Sequence, residues 1–394
     1  MDRFAAMDEF LQKNVKEGPS GCGCMVTQNG EVLYEKYFGY SNLEKKTPVT
    51  DRSVFRQFST TKVIVCTALM MLYERGKFLL QDPIYEYFPE WKNTMVAEEN
   101  LGPDGKFDGT YTIRPVKRPI QIADCLNMSM GIGYGGEDYT HRQMAAVRQE
   151  LEDTLGWNYT LRDDIRAMAQ VPVRFDPGEH WLYGFGHELV AGLIAECSGI
   201  PVSEFMKKYI FEPLGMENTD YRYHGDMRAN LVTPYIRHED GTMEETTGMF
   251  DRRQEPDAVY EGGGAGLLST VHDYGIFGTM LANGGTYRGE RIIGPKTIDL
   301  MRQNRLNETQ LKEFQNSYLD GYGYGLGFRT LIDPSRVSNS SVGEFGWTGY
   351  MGTYIAIDPA EKACVTYMHN MVPNNEEYIH HRVRNIAFGA IDKL

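Results

Sequence analysis

Ser59 and Lys62 stand three residues apart in Phe55-Arg-Gln-Phe-Ser-Thr-Thr-Lys62, at the mouth of the apolar run Val63 to Leu72. Helical positions i and i+3 share a face. The Lys62 amine can therefore reach the Ser59 hydroxyl, and first-turn amides favour negative charge developing there. A serine hydroxyl becomes a competent nucleophile only when a neighbouring base takes its proton. The pair points to covalent catalysis at Ser59, and no other Ser-x-x-Lys occurs in the chain. Chance also produces such pairs, so position decides: Lys62, Cys66, Leu69, Met70 and Tyr73 form one stripe, predicting a helix from about Ser59 to Arg75 with Lys62 half-buried.

The elements around this helix are legible in outline. An amphipathic helix over about residues 3 to 16 precedes strands Cys22 to Gln28 and Val32 to Tyr37, joined at Asn29-Gly30, a two-residue hairpin signal. From about 85 to 255 the pattern is helical, with Ile122 to Met130, Thr140 to Leu155, Leu161 to Gln170, His187 to Cys197 and Val202 to Ile210, and few strand signals. The glycine cluster from Gly262 opens onto a helix over Asp273 to Leu281. Strands follow at Tyr324 to Ile332, Gly343 to Trp347, Tyr350 to Ile357 and Ala363 to His369, then a closing helix over Glu376 to Ile391. Strands at both ends with helices between predict an α/β (α+β) fold. Its antiparallel sheet is built from residues 1–85 and 255–394, with a mostly helical insertion over 86–254 and the active site at their interface.

Bulk properties narrow the partners. Forty Lys plus Arg against 54 Asp plus Glu give a net charge of −14, the wrong sign for a phosphate-backbone binder, so nucleic acid is excluded. The charged N-terminus lacks a signal-peptide pattern, and Val63 to Leu72 is too short to span a bilayer. No membrane partner and a cytoplasmic location are expected. Six cysteines without Cys-x-x-Cys pairs predict reduced thiols. Oligomeric state leaves no mark on the sequence.

Read further, the chain resembles a known superfamily. Phe55 to Lys62, followed by Leu72-Tyr-Glu-Arg-Gly-Lys77 and Gln81-Asp-Pro83, is similar to the first block of serine β-lactamase-like hydrolases and penicillin-binding proteins. Asp176-Pro-Gly-Glu-His-Trp-Leu-Tyr183 has the spacing at which that superfamily places a catalytic tyrosine, and Phe345-Gly-Trp-Thr-Gly349 resembles its third block. The ordered matches cover about residues 20 to 385. The resemblance implies Ser59 as nucleophile, Lys62 and Tyr183 as the proton relay, and the backbone N–H groups of Ser59 and Tyr350 as the oxyanion hole. A tyrosine in an aromatic-rich chain is more often packing than chemistry. For Tyr183, the distance from Pro177-Gly178 and the presence of Ser59 shift the balance to catalysis.

Two departures from the β-lactamase branches matter. Those branches usually carry Tyr-x-Asn and Lys-Thr-Gly, whereas this chain has Phe185 two residues after Tyr183, and Trp347 in place of the lysine. Tyr without Asn, followed by Trp-x-Gly, is similar to family VIII carboxylesterases. Trp347 and Phe185 are read as pocket walls, and Gly349 as a point of close approach between an edge strand and substrate.

Other motifs carry less. Gly131-Ile-Gly133-Tyr-Gly-Gly136 matches a dinucleotide fingerprint, but a helix-like flank stands where a strand is required, so it reads as a loop. His187-Glu188 lacks a second histidine, and no His/Asp/Glu grouping has metal spacing, so no metal or other cofactor is expected. His380-His381 reads as surface. The expected activity is cleavage of a small-molecule ester of a neutral acyl group through an acyl-enzyme. Lys62 and Tyr183 would need their ordinary pKa values, about 10.4 and 10, lowered by burial to act as base. Which of them takes the first proton is left open. The alternatives are an amidase, a D-aminopeptidase or a weak β-lactamase of the same fold, and a slowly deacylating penicillin-binding sensor.

Overall fold

Asn29 and Gly30 turn the chain back on itself with positive φ at both residues (54° and 84°), as a two-residue hairpin requires. They join β1 (Gly21–Gln28) to β2 (Glu31–Asn42), which pairs in turn with β3 (Thr47–Pro48). The computed structural model describes residues 2–246, 252–315 and 318–393. Its C-terminal part supplies β4 (Tyr322–Tyr324), β5 (Arg329–Leu331), β6 (Phe345–Thr348), β7 (Tyr354–Asp358) and β8 (Ala363–Met368). The order is β4-β5-β6-β7-β8-β1-β2-β3, antiparallel throughout. Both ends of the chain build one sheet, as the sequence predicts.

The helices that bear on the site are α1 (Ala5–Glu17), α2 (Thr61–Glu74), α3 (Tyr139–Leu155), α4 (Leu161–Met168), α5 (Gly186–Ser198), α6 (Val271–Ala282) and α7 (Glu376–Ala390). Side chains alternate across a strand, and β1 is buried on both faces. Cys22, Cys24 and Val26 pack with Met7 and Leu11 of α1 and Ile379 and Val383 of α7. Met25, with Ile355 and Ile357 of β7, packs on the other side with α6 and α2. All six cysteines are free thiols.

Several expectations are corrected. Residues Thr61 to Leu72 of α2 are all buried, Lys62 fully rather than half, because the helix is enclosed on every side and not on one stripe. The helix expected over Ile122 to Met130 ends at Leu126, and Met128 turns to positive φ (63°). Tyr324 to Ile332 is not one strand but the turn and arms of the β4–β5 hairpin. Tyr350 precedes β7 in a turn. Strands Met95–Leu101 and Phe107–Pro115 form a hairpin where few strand signals were read. Most of its side chains are exposed, so no apolar alternation marks it.

His380 is buried, not at the surface, stacked on Tyr354 with ring centroids 4.5 Å apart. Burial also pushes His187 and His369 down to about 3, and His380 well below the ordinary histidine value. These rings stay neutral in the fold while the unfolded chain protonates them below about 6.5. Their stabilisation is therefore complete above that pH and is lost as pH falls, by about 1 kcal/mol for each at pH 5.5. Glu188 and Asp273, whose carboxyls burial pushes up, offset part of the loss. The thermal midpoint is expected to drop between pH 7.5 and 5.5, above the ordinary carboxylate range. A midpoint constant across that window would show that the histidines do not couple to folding.

Candidate active site

Ser59 lies in the single tight turn Phe58–Thr60 that runs into α2. Phe58 just before it has φ +47°, a backbone state that costs free energy unless its surroundings fix it. Gln57 supplies the fixing. Its fully buried side chain donates to Phe55 O at 3.1 Å, and its carbonyl accepts from Thr60 Oγ1 at 2.8 Å and Thr353 Oγ1 at 2.7 Å. The turn leaves Ser59 partly exposed to a pocket of about 770 Å³.

Lys62 rises beneath Ser59 and donates to Ser59 Oγ at 3.3 Å and to Gly264 O at 2.5 Å. Its ammonium lies 4.9 Å from the centroid of the Tyr183 ring and 5.0 Å from that of Tyr134. Burial alone would lower the Lys62 pKa, but the Tyr134 and Tyr183 oxygens outweigh it and hold the amine above its ordinary value. The expected lowering at Lys62 does not occur. In the resting site this group is an ammonium, a donor and a positive charge.

Tyr183 is fixed from the other side, because Trp347 Nε1 donates to its hydroxyl at 3.0 Å. Trp347 thus does more than line the pocket: it presents an N–H dipole to the oxygen that Lys62 also faces. Strand β6 is not the edge strand expected but lies between β5 and β7, pairing with β5 only through Phe345 and Gly346, so Trp347 and Thr348 front the pocket. Gly349 meets a further constraint there, since a Cβ would fall 2.4 Å from Gln57 O and 2.0 Å from Thr353 Oγ1. The following turn is closed by Gly349 N to Thr353 O (2.7 Å) and Gly352 N to Gly349 O (2.8 Å). Among the described residues, neither the Ser59 nor the Tyr350 amide donates to a protein acceptor. The Tyr350 ring meets Phe58 at 5.8 Å, and Ser59 and Tyr350 both line the pocket.

Phe185 ends the loop before α5, lines the pocket, and packs edge-on to Tyr134 at 4.6 Å. The Arg148 guanidinium of α3 lies 4.0 Å from the Phe185 ring centroid and is paired at 2.5 Å with the buried Asp164 of α4. The structure thus gathers Ser59, Lys62, Tyr183, Phe185, Trp347, Gly349 and Tyr350 around one cavity.

Sequence reasoning missed two contributors. Tyr134 sits inside the glycine-rich loop weighed only as a dinucleotide fingerprint, where its own side chain was the signal. Glu188, on α5, accepts from Gly263 N at 2.8 Å and Gly264 N at 3.3 Å. It thereby holds the loop whose carbonyl receives Lys62. Gly264 must lack a side chain, since a Cβ there would lie 2.2 Å from the Tyr134 hydroxyl. Among the described residues no group of three or more His, Cys, Asp or Glu is placed to hold a metal ion, and no single helix is long and apolar enough to cross a membrane.

The model of the beta-lactamase family matches residues 7–388 of the chain. Protein Rv1367c of Mycobacterium tuberculosis is 28% identical over 364 residues, covering 90% of this chain and 86% of the relative. Esterase EstB of Burkholderia gladioli is 24% identical over 367 residues, covering 86% and 83%. Among solved structures, EstCE1, a hydrolase with promiscuous acyltransferase activity, superposes with a TM-score of 0.80 at 22% identity, covering 98% of both chains.

Proposed function

This chain belongs to the beta-lactamase family, a serine hydrolase of the β-lactamase and penicillin-binding-protein superfamily, and from that premise we propose that it cleaves carboxylic esters of neutral acyl groups through an acyl-enzyme on Ser59. The observation that carries the ester reading is the Trp347–Tyr183 hydrogen bond. Where penicillin-recognising branches place an ammonium able to pair with a substrate carboxylate, this chain has an indole already committed to the relay. EstB, described as an esterase, and EstCE1, described as a hydrolase, agree with this direction.

In this mechanism Tyr183 is the first proton acceptor, because Lys62 enters the reaction as an ammonium. Trp347 Nε1 donates to the Tyr183 oxygen at 3.0 Å and the Lys62 ammonium lies 4.9 Å from the same ring, so both face the oxygen at which negative charge is used. The phenolate takes the Ser59 proton as Oγ bonds to the ester carbonyl carbon, and the Ser59 and Tyr350 amides bind the oxyanion. Collapse breaks the bond to the leaving oxygen, which takes the proton from Tyr183. Water then repeats the sequence in reverse roles, losing its proton to Tyr183 while Ser59 regains one. Phe185, in place of an amide, turns an apolar wall toward the acyl group. We further take residues 1–85 with 255–394 as one domain and 86–254 as the second, with residues 247–251 outside the described region.

Labelling with a fluorophosphonate followed by intact-mass and peptide mapping should place one adduct on Ser59. In a panel of a neutral nitrophenyl ester, a chromogenic cephalosporin and a D-Ala-D-Ala peptide, the ester should have the highest specificity constant. A missing charge-assisted contact is worth about 1.5 to 3 kcal/mol, or roughly 10-fold to 150-fold. Preference for the cephalosporin or the peptide would overturn the ester reading.

A further inference from the structure

Glu376, the first residue of α7, lines the pocket and accepts from Thr348 Oγ1 at 2.6 Å, one residue beyond Trp347. Asn374 Oδ1 accepts from the Glu376 amide and Asn374 Nδ2 donates to Tyr350 O, both at 3.1 Å. Asn374 thereby ties the backbone at Glu376 to the turn that carries Tyr350.

Glu376 forms no ion pair among the described residues. His380, which approaches Thr348 Oγ1 at 3.4 Å, is held neutral by burial. Arg329, the first residue of β5, is within 3.5 Å of Glu344, and Arg384 donates to Tyr322. The pocket's own arginines, Arg148 and Arg253, stack over Phe185 and over Tyr159 and Tyr260. Trp181, Phe314, Tyr318 and Trp347 line the same pocket as Glu376, with the Tyr318 hydroxyl hydrogen-bonded to the Glu376 carboxylate, and another lining carboxylate, Glu313, already accepts from Trp181 N at 2.8 Å. Aromatic faces sharing a pocket with a carboxylate that has hydrogen-bond donors but, among the described residues, no cationic partner make a receptor for a cation.

We infer that this side of the pocket is a subsite for a positively charged group on the substrate, an alkylammonium, with Glu376 as its counter-ion, and that the same carboxylate repels substrates carrying an anion there. The inference deepens the ester reading and rests on its Ser59 chemistry.

Three matched aryl esters test it, differing in one substituent on the leaving group: trimethylammonium, tert-butyl and carboxylate. The wild-type specificity constant for the ammonium ester should exceed that for the carboxylate ester by at least about 10-fold. Raising ionic strength from about 0.02 to about 0.5 M should shrink the ratio, because a partly exposed charge is screened. Glu376→Gln should bring the ratio to within about threefold of unity. A wild-type ratio within twofold of unity, or one that Glu376→Gln leaves in place, overturns the subsite. If Glu376→Gln does not fold, the wild-type ratio and its salt dependence decide. The tert-butyl ester reads the hydrolase proposal separately, and its resistance to cleavage would sink that proposal. The subsite would then be judged by calorimetric binding of benzyltrimethylammonium and benzoate to Ser59→Ala protein, where equal affinities overturn it.

Discussion

Ser59→Ala should lower ester turnover by about 10⁴-fold or more while leaving the thermal midpoint nearly unchanged. The expectation follows from what the hydroxyl touches. Ser59 is partly exposed, and among the described residues its side chain has one polar contact, the 3.3 Å hydrogen bond from Lys62, whose amine keeps Gly264 O as acceptor. Losing a single hydrogen bond of this kind costs about 1 kcal/mol. Losing the nucleophile removes the covalent route altogether, leaving only what binding and the oxyanion hole can do for water. The turn itself persists, because the Phe58 conformation is fixed by Gln57, Thr60 and Thr353 and not by Ser59. Comparison of initial rates and melting curves for the two proteins is sufficient. Residual turnover within tenfold of wild type would place the chemistry elsewhere in the pocket.

The parts of the site legible in the sequence are those whose geometry is local. The Ser59–Lys62 spacing needs only a helical turn to bring hydroxyl and amine together, and the Asn29-Gly30 hairpin needs only two positive φ values. Tyr183 and Trp347 were legible through their neighbours Pro177-Gly178 and Gly349, but their mutual hydrogen bond spans 164 residues and no periodicity announces it. Tyr134 and Glu188 were hidden for the same reason: each matters through Lys62 or Gly264, which only the tertiary fold brings near. His380 misled because a histidine pair on an amphipathic helix looks solvated until Tyr354 stacks on it. The exposed hairpin of Met95–Leu101 and Phe107–Pro115 escaped because burial alternation reports a core-facing strand, and this one faces largely away from any core.

Lys62→Met should lower kcat by at least about 10³-fold, and Tyr183→Phe by roughly 10²-fold or more. Methionine keeps most of the length and shape of the lysine side chain, so its effect separates charge from packing. Replacing a fully buried ammonium by an apolar group relieves its desolvation cost but strips Gly264 O of its donor, and these act in opposite directions on stability. The midpoint should therefore move little while the rate collapses. Phenylalanine at 183 keeps the ring that packs at 5.5 Å on Trp347 and deletes the oxygen that accepts its N–H. If ammonium and phenol act as one relay, the double variant Lys62→Met/Tyr183→Phe should be only about as slow as Lys62→Met alone, since a relay missing one member gains nothing from the other. Independent roles would instead multiply the two losses to about 10⁵-fold. The alkaline side of the pH profile bears on the same point. Lys62 is held above its ordinary value, so the ammonium persists through the range where a free lysine would lose its proton, and the rate should not fall by pH 10 for want of that charge. A Lys62→Met enzyme within tenfold of wild type, or a double variant showing fully multiplicative losses, would separate Lys62 from the proton relay and leave Tyr183 to act without it.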